Sequence, residues 1–175
     1  MTVEELCKID NSFNSSMFIS RANNMIKKLY NSTTLDELDT VDHFASDEVF
    51  NKFKKKLEIA KNNNMKLIYD QVNVSTEIKD ISMTEEAINI SCNSTCSYCE
   101  YYIDNNGKIV SGSNTERKRV IHQVVFQKKF GARRTEVLRC LGCGTTFNFN
   151  ENGICPTCGR VFDLEEYDYY LYMFV

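Results

Sequence analysis

From Phe13 onward the apolar residues Phe18, Ala22, Met25, Ile26 and Leu29 recur at intervals of three and four, with Arg21, Asn24 and Lys28 between them. That spacing lines the apolar side chains along one stripe and predicts an amphipathic helix from Phe13 to Tyr30. Thr34 followed by Glu37 has the spacing of a capping box and predicts a short second helix through Leu35, Leu38 and Val41. Ser46 then stands before a third helix whose apolar face is Val49, Phe50, Phe53, Leu57 and Ala60. Asp47 and Glu48 at its start and Lys54, Lys55, Lys56 and Lys61 toward its end suit the helix dipole, and Asn62, Asn63 and Asn64 end it.

After Asn64 the period shortens to two. Leu67 to Val74, Ile81 to Tyr102 and Val120 to Phe130 alternate and are rich in β-branched and aromatic residues, which predicts strands. Asp104, Asn105, Asn106 and Gly107 supply a turn between two of them, and Ser111 to Asn114 a second loop. Helices first and antiparallel strands after, with no parallel βαβ unit, define an α+β class in which the helices cover one face of a sheet. At 175 residues the chain suffices for one such domain with a small appendage.

Composition narrows the function classes. A net charge of −3 excludes a chain that is basic throughout, so attraction to nucleic acid or anionic lipid has to come from a local patch. The N-terminus MTVEELCKID is acidic where a secretory signal would be basic, and the longest apolar run, YYLYMFV, is far short of the roughly 20 residues of a membrane span. The expectation is a cytoplasmic chain, peripheral if it meets a membrane at all.

Eight cysteines without a secretory signal point to thiol or metal chemistry rather than disulfides. Cys140 and Cys143 form one CxxC, Cys155 and Cys158 another, and eleven residues separate the pairs. Each CxxC can wrap a tight turn around one ion, with Gly144 and Gly159 allowing the backbone to bend just after it. The halves are also alike: Cys140, Cys143, Gly144, Phe147 and Phe149 match Cys155, Cys158, Gly159, Phe162 and Leu164. These four thiolates predict one structural Zn²⁺ in a two-knuckle ribbon; a closed Cys₄ set leaves no open position for catalysis, although ligand type alone does not exclude iron. Arg160 is the one basic residue between Cys140 and Leu164, set against Glu151 and Asp163, so the ribbon lacks the charge of a nucleic-acid reader.

The earlier stretch CNSTCSYC, from Cys92 to Cys99, has the CxxxCxxC spacing of the four-iron loop in radical enzymes that use S-adenosylmethionine. Its flanks alternate as one strand, which puts Cys92 and Cys96 on one face and Cys99 on the other. Three sulfurs so divided cannot converge on a cluster, and too little chain follows Cys99 to complete such an enzyme. They are read as packing thiols.

One region is markedly basic. Arg117, Lys118, Arg119, Lys128, Lys129, Arg133 and Arg134, flanked by Lys108 and Arg139, face only Glu116 and Glu136 in sequence. They are candidates for meeting lipid phosphates, an acidic protein partner or, less favoured, RNA; the alternative is a solvated rim balancing Asp163, Glu165, Glu166 and Asp168. His122, between Val120 and Val124, and His43 have no catalytic partner in sequence and are read as structural. There is no phosphate-binding Gly-rich loop and no nucleophile elbow.

An aromatic-rich first helix, then TLDELDTVDHFASDEVFNKF, long strands, GKIVSG and RVIHQVVFQKKFG resemble the Tim-forty-four-like domain, named for the peripheral subunit of the mitochondrial inner-membrane import motor. The closer similarity is to bacterial members that place a CxxC...CxxC ribbon before a final aromatic strand, here EEYDYYLYMF with Tyr169 and Tyr170 where a tryptophan is often found. The resemblance implies a cone of the cystatin-like, nuclear-transport-factor-two-like kind, in which a curved antiparallel sheet embraces the helices. Residues 10–139 with 165–175 would form that domain, and 140–164 an inserted zinc ribbon. It also implies a non-enzymatic, zinc-stabilised binding or scaffold domain at a membrane surface or membrane protein complex, as in protein transport. Many bacterial versions carry an upstream transmembrane segment, of which this sequence shows none. The alternatives are a small-molecule-binding or enzymatic domain using the cone pocket near His122, and an RNA- or ribosome-associated protein.

Overall fold

Thr2 opens a first helix, α1 (Val3–Ile9), by a reciprocal cap: its hydroxyl accepts from the Glu5 N–H, and the Glu5 carboxylate accepts from the Thr2 N–H. This short helix is additional to the three predicted from periodicity, and it buries Leu6. The computed structural model describes residues 1–132, 137–140, 142–148 and 154–175.

The main helix, α2 (Ser15–Leu35), is capped by Asn14, whose side chain accepts from the Met17 N–H at 2.9 Å. It runs past the predicted end at Tyr30, and the expected capping box at Thr34 does not form. Thr34 lies in the last turn of α2, where its hydroxyl accepts from the Tyr69 N–H at 2.8 Å and donates to the Tyr69 carbonyl. Those backbone groups belong to a strand at the edge of the sheet, with no further strand beside it among the described residues, and satisfying them outweighs a local cap. The chain then turns through Asp36, at φ 58°, and Leu38–Thr40 make a single 3-10 turn without a side-chain cap. Helix α3 (Asp47–Asn62) begins as expected, with the Ser46 hydroxyl accepting from the Val49 N–H.

The strands are β1 (Lys66–Met83), β2 (Ala87–Ile103), β3 (Ile109–Gly112), β4 (Lys118–Lys129), β5 (Val137–Arg139), β6 (Thr146–Asn148) and β7 (Tyr170–Phe174). The run predicted from Ile81 to Tyr102 is two strands, because a turn at 84–86 reverses the chain. It contains no glycine; the Thr84 hydroxyl accepts from the N–H groups of Glu86 and Ala87 and closes it instead. The turn at Asp104 to Gly107 stands where predicted and leads into β3, which takes up Ser111 and Gly112 of the predicted second loop. Gly112 sits at φ 79°, and any Cβ there would collide with the Glu100 carbonyl oxygen.

All pairings in the main sheet are antiparallel, in the order β1-β2-β4-β7, with β3 alongside the end of β2, and the sheet is unclosed. The hairpin β5-β6 stands apart. Phe18, Ala22, Ile26 and Leu29 of α2 and Val49, Phe53 and Leu57 of α3 pack on Leu67, Ile90, Val124, Phe126 and Leu171 of the sheet. Each Val, Leu, Ile or Phe among them contributes about 1.5–3 kcal/mol by leaving water. Three helices on an antiparallel sheet thus realise the expected α+β class. Along β2, Cys92, Ser94, Cys96 and Tyr98 alternate toward the helices, with Cys99 at the opposite parity. Burial pushes the Cys92 thiol up to about 12 and Cys96 up to about 11, so these remain protonated packing groups.

Candidate metal centre

After β4 the chain forms two nearly identical knuckles. In the first, the Cys140 N–H donates to the Thr145 carbonyl at 2.9 Å and the Gly144 N–H to the Cys140 carbonyl at 2.9 Å. In the second, the Cys155 N–H donates to the Arg160 carbonyl at 2.8 Å and the Gly159 N–H to the Cys155 carbonyl at 2.9 Å. Gly144 and Gly159 sit at φ 75° and 74°, the left-handed conformation that a side chain resists. The flanking strands match as well: β5 pairs with β6, and Ile154 bridges Val161. Of the duplicated aromatics, Phe147 and Phe162 face each other with ring centres 5.8 Å apart, while Phe149 lies outside the described residues.

The two knuckles bring the four sulfurs of Cys140, Cys143, Cys155 and Cys158 within 4.8 Å of one another. Cys140 and Cys158 sulfurs are 3.5 Å apart, and those of Cys143 and Cys155 3.8 Å. A tetrahedron of sulfurs about 2.3 Å from a central ion has edges of about 3.8 Å, so the set could hold a metal ion with little adjustment. The backbone prepares the sulfurs for it. N–H groups of Cys143 and Gly142 hold the Cys140 thiol below its usual range, and Thr145, through its hydroxyl and its N–H, brings Cys143 down to about 6. At Cys158 an Arg160 backbone group acts in the same direction, but the neighbouring sulfurs push the thiol up to about 11. Among the described residues this is the one cluster of potential ligands.

The basic residues of β4 that the structure describes divide between the two faces of the strand. Lys128 points inward from β4, with its side chain 8% exposed, and donates to Asp10 at 3.0 Å; Tyr169 donates to the same carboxylate oxygen. Lys129 pairs with Glu165, and Lys118 with Glu100 at 2.8 Å. Arg117 spans to Ser97 and to the Gln71 side chain and carbonyl. Arg119 is exposed, at the same strand parity as Lys129. Arg133 and Arg134 lie outside the described residues. Alternation along β4 places Lys118 and Lys128 on one face and Arg119 and Lys129 on the other, which a reading by charge alone does not separate.

His122 lies where the sheet meets the end of α2. The oxygen of Val175, 3.2 Å from Nδ1, can only accept, so Nδ1 carries the proton and Nε2 accepts from the Tyr30 hydroxyl at 3.0 Å. The ring lies 4.4 Å from that of Phe174. Tyr30 itself, 2% exposed, is ringed by Phe53, Tyr69, Tyr98 and Phe174 at 4.8–6.4 Å. The space between helices and sheet is filled here by aromatic side chains. Burial, aided by Lys52 and Lys56, holds His122 below the usual histidine range, with the Val175 oxygen working the other way. A histidine depressed in the folded state contributes stability that is present above its unfolded pKa, near 6.5, and is lost as pH falls through the lower folded value. Urea unfolding at pH 7.5 and 5.5 is therefore expected to show destabilisation in acid that is smaller in His122→Gln; equal losses in both would remove His122 as a source.

Fold and site together define an α+β domain, three helices on an antiparallel open sheet, with a Cys₄ cluster that follows the fourth strand. A profile of the Tim44-like domain matches residues 1–138, and the chain belongs to that family. The match ends within β5, so the knuckles and β7 lie beyond it. No curated protein is significantly similar to the chain. No described helix is long and apolar enough to cross a membrane.

Proposed function

We propose that the chain is a zinc-stabilised docking domain without catalysis of its own, associating with a protein partner, in keeping with the membrane-complex role its family resemblance implies. The observation that carries this reading is the filling of the helix–sheet interior by Tyr30 and its aromatic neighbours, where an enzyme of this shape would keep an open pocket. Both ring nitrogens of His122 are engaged, by Tyr30 and by Val175, which supports a structural role. Zinc is the ion proposed, since four thiolates near tetrahedral spacing suit it and close its coordination. In this reading residues 140–164 form a ribbon inserted into an α+β domain of residues 10–139 and 165–175.

Quantitative co-purification from native cells tests the docking function. A partner recovered in fixed ratio to the chain supports it, and a chain that elutes alone at native abundance refutes it.

The pairing of Lys118, Lys128 and Lys129 with carboxylates favours a protein over an anionic lipid surface. In flotation with phosphatidylserine-containing vesicles at physiological salt, little protein is expected to rise with the lipid. Strong flotation that disappears on adding salt would favour the membrane instead.

A further inference from the structure

One face of α2 is left out of the core. Ala22, Ile26, Leu29 and Thr33 point into the protein, while Asn24, Lys27, Lys28, Asn31 and Leu35 share a separate stripe, spaced three and four apart. That stripe forms one wall of a groove of about 880 Å³. Glu37 and Asp39 close one end, and the opposite wall comes from the second knuckle through Ile154, Pro156 and Val161. Three large apolar side chains are left exposed around it: Leu35 at 60%, Ile154 at 42% and Val161 at 53%. Most large apolar groups among the described residues are buried, so the convergence of these three on one groove marks a surface that gains by being covered.

His43 belongs to the same wall. It lines the groove and is 8% exposed, yet its Nε2 is buried without a hydrogen-bond partner among the described residues. A buried ring nitrogen left unpaired costs free energy, but Nε2 is closed to solvent and so is no contact point for a ligand in the groove. The site is also tied to the fold, because the His43 carbonyl accepts from the Leu164 N–H at 2.8 Å where the chain leaves the knuckle.

We propose that this groove docks an extended peptide segment of a partner protein, with an apolar centre, an acidic end over Lys27 and Lys28, and a basic end toward Glu37 and Asp39. The proposal rests on the docking function above and names its site. None of these four charged residues takes part in a salt bridge among the described residues, so both signs are available to a partner. From Asn24 to Leu35 the helix rises about 16 Å, the span of about five residues of extended chain. An acyl chain would use the apolar wall but leave Glu37 and Asp39 unmatched. Because Ile154 and Val161 bridge across the Cys155–Cys158 knuckle, a metal bound by the four thiols would hold that wall in place.

The probe is a fluorescein-labelled pool of peptides with Asp or Glu at one end, Leu, Ile or Val at three central positions and Lys or Arg at the other. Anisotropy should report binding to the full metal-loaded chain, weakened at least about tenfold by Leu35→Asp or Val161→Asp, as truncating an interface anchor does. Both residues are more than half exposed, so neither change should disturb folding, and a thermal melt checks this. The double variant Lys27→Glu with Lys28→Glu should prefer a pool with its acidic end made basic. Chelation should weaken binding, and amide shifts in NMR should move at 24–39 and 154–161. No peptide binding, binding indifferent to these changes, palmitate binding in its place, or self-association abolished by Leu35→Asp would each overturn the proposal. If Leu35→Asp still co-purifies with the cellular partner, the docking function stands and the groove is not its site.

Discussion

Cys155→Ser is expected to abolish metal binding and unfold the knuckles while leaving the helix–sheet core folded. Cys155 is the most deeply buried of the four thiols, and its sulfur sits 3.8 Å from that of Cys143. Among the described residues the apolar cluster here is small: β5 and β6 have three residues each, a bridge joins Ile154 to Val161, and Phe162 meets Phe147 and Tyr167. So small an apolar cluster does little to offset the ordering of its chain, and a metal held by the four thiols would supply the difference, about 10–16 kcal/mol for structural zinc in comparable peptides. Elemental analysis should find about one zinc per chain in the wild type and none in the variant. Proteolysis should move to residues 140–158, with the core transition shifted by only a few degrees. Wild-type protein prepared without chelators yet free of metal would refute the site. A red, iron-loaded preparation would keep the four ligands but replace zinc.

The core should survive because the chain after the knuckles is fastened independently of them. The Leu171 N–H donates to the Phe44 carbonyl, the Ser46 N–H and hydroxyl reach the carbonyls of Leu171 and Tyr172, and β7 pairs with β4. Order in β7 therefore does not depend on order in the ribbon.

What could be read from sequence follows the range of the interactions. The knuckles were legible because a CxxC and the glycine after it are local chemistry, repeated. The α+β class was legible because the apolar period changes once, after Asn64. Thr34 misleads because its decisive partner, Tyr69, is distant in sequence, and a capping box takes no account of an edge strand. Alpha-one was within reach, since Thr2 and Glu5 have the capping-box spacing, but seven residues are too few for periodicity to reveal. The turn at 84–86 escapes because a threonine hydroxyl does the work usually assigned to glycine or asparagine. Lys128 shares the parity of Val124 and Phe126, so alternation alone points it inward; the expectation that lysine faces water hides this until Asp10 is found beside it. The groove beside α2 joins segments from three parts of the chain, and no short motif carries it.

Asp10→Ala is expected to be the most damaging single change to the α+β core outside its apolar residues. The Lys128 and Asp10 side chains are 8% and 4% exposed, and removing the carboxylate 3.0 Å away leaves the buried ammonium to the more distant Asp168, at 3.9 Å and itself paired with Arg21. Breaking a buried pair costs about 3–5 kcal/mol where the remaining charge is uncompensated, a loss that Asp168 reduces here, whereas replacing both partners by apolar groups of similar volume is often neutral. Urea unfolding should therefore place Asp10→Ala and Lys128→Ala far below the wild type, with Asp10→Leu/Lys128→Met closer to it than either. The exposed pair Lys61–Asp36 is the internal control, expected to contribute no more than about 1 kcal/mol. If Asp10→Ala lies as near the wild type as Lys61→Ala does, the buried pair is not what fastens this corner. The loss should also have a place. Asp10 closes α1 at its C-terminus, receives the Tyr169 hydroxyl, and meets through Lys128 the strand that carries Phe126. Amide exchange should accordingly rise first in α1 and around Tyr169. Adding Asp10→Ala to Cys155→Ser should then loosen both sides of the ribbon's attachment, a combined effect that neither variant produces alone.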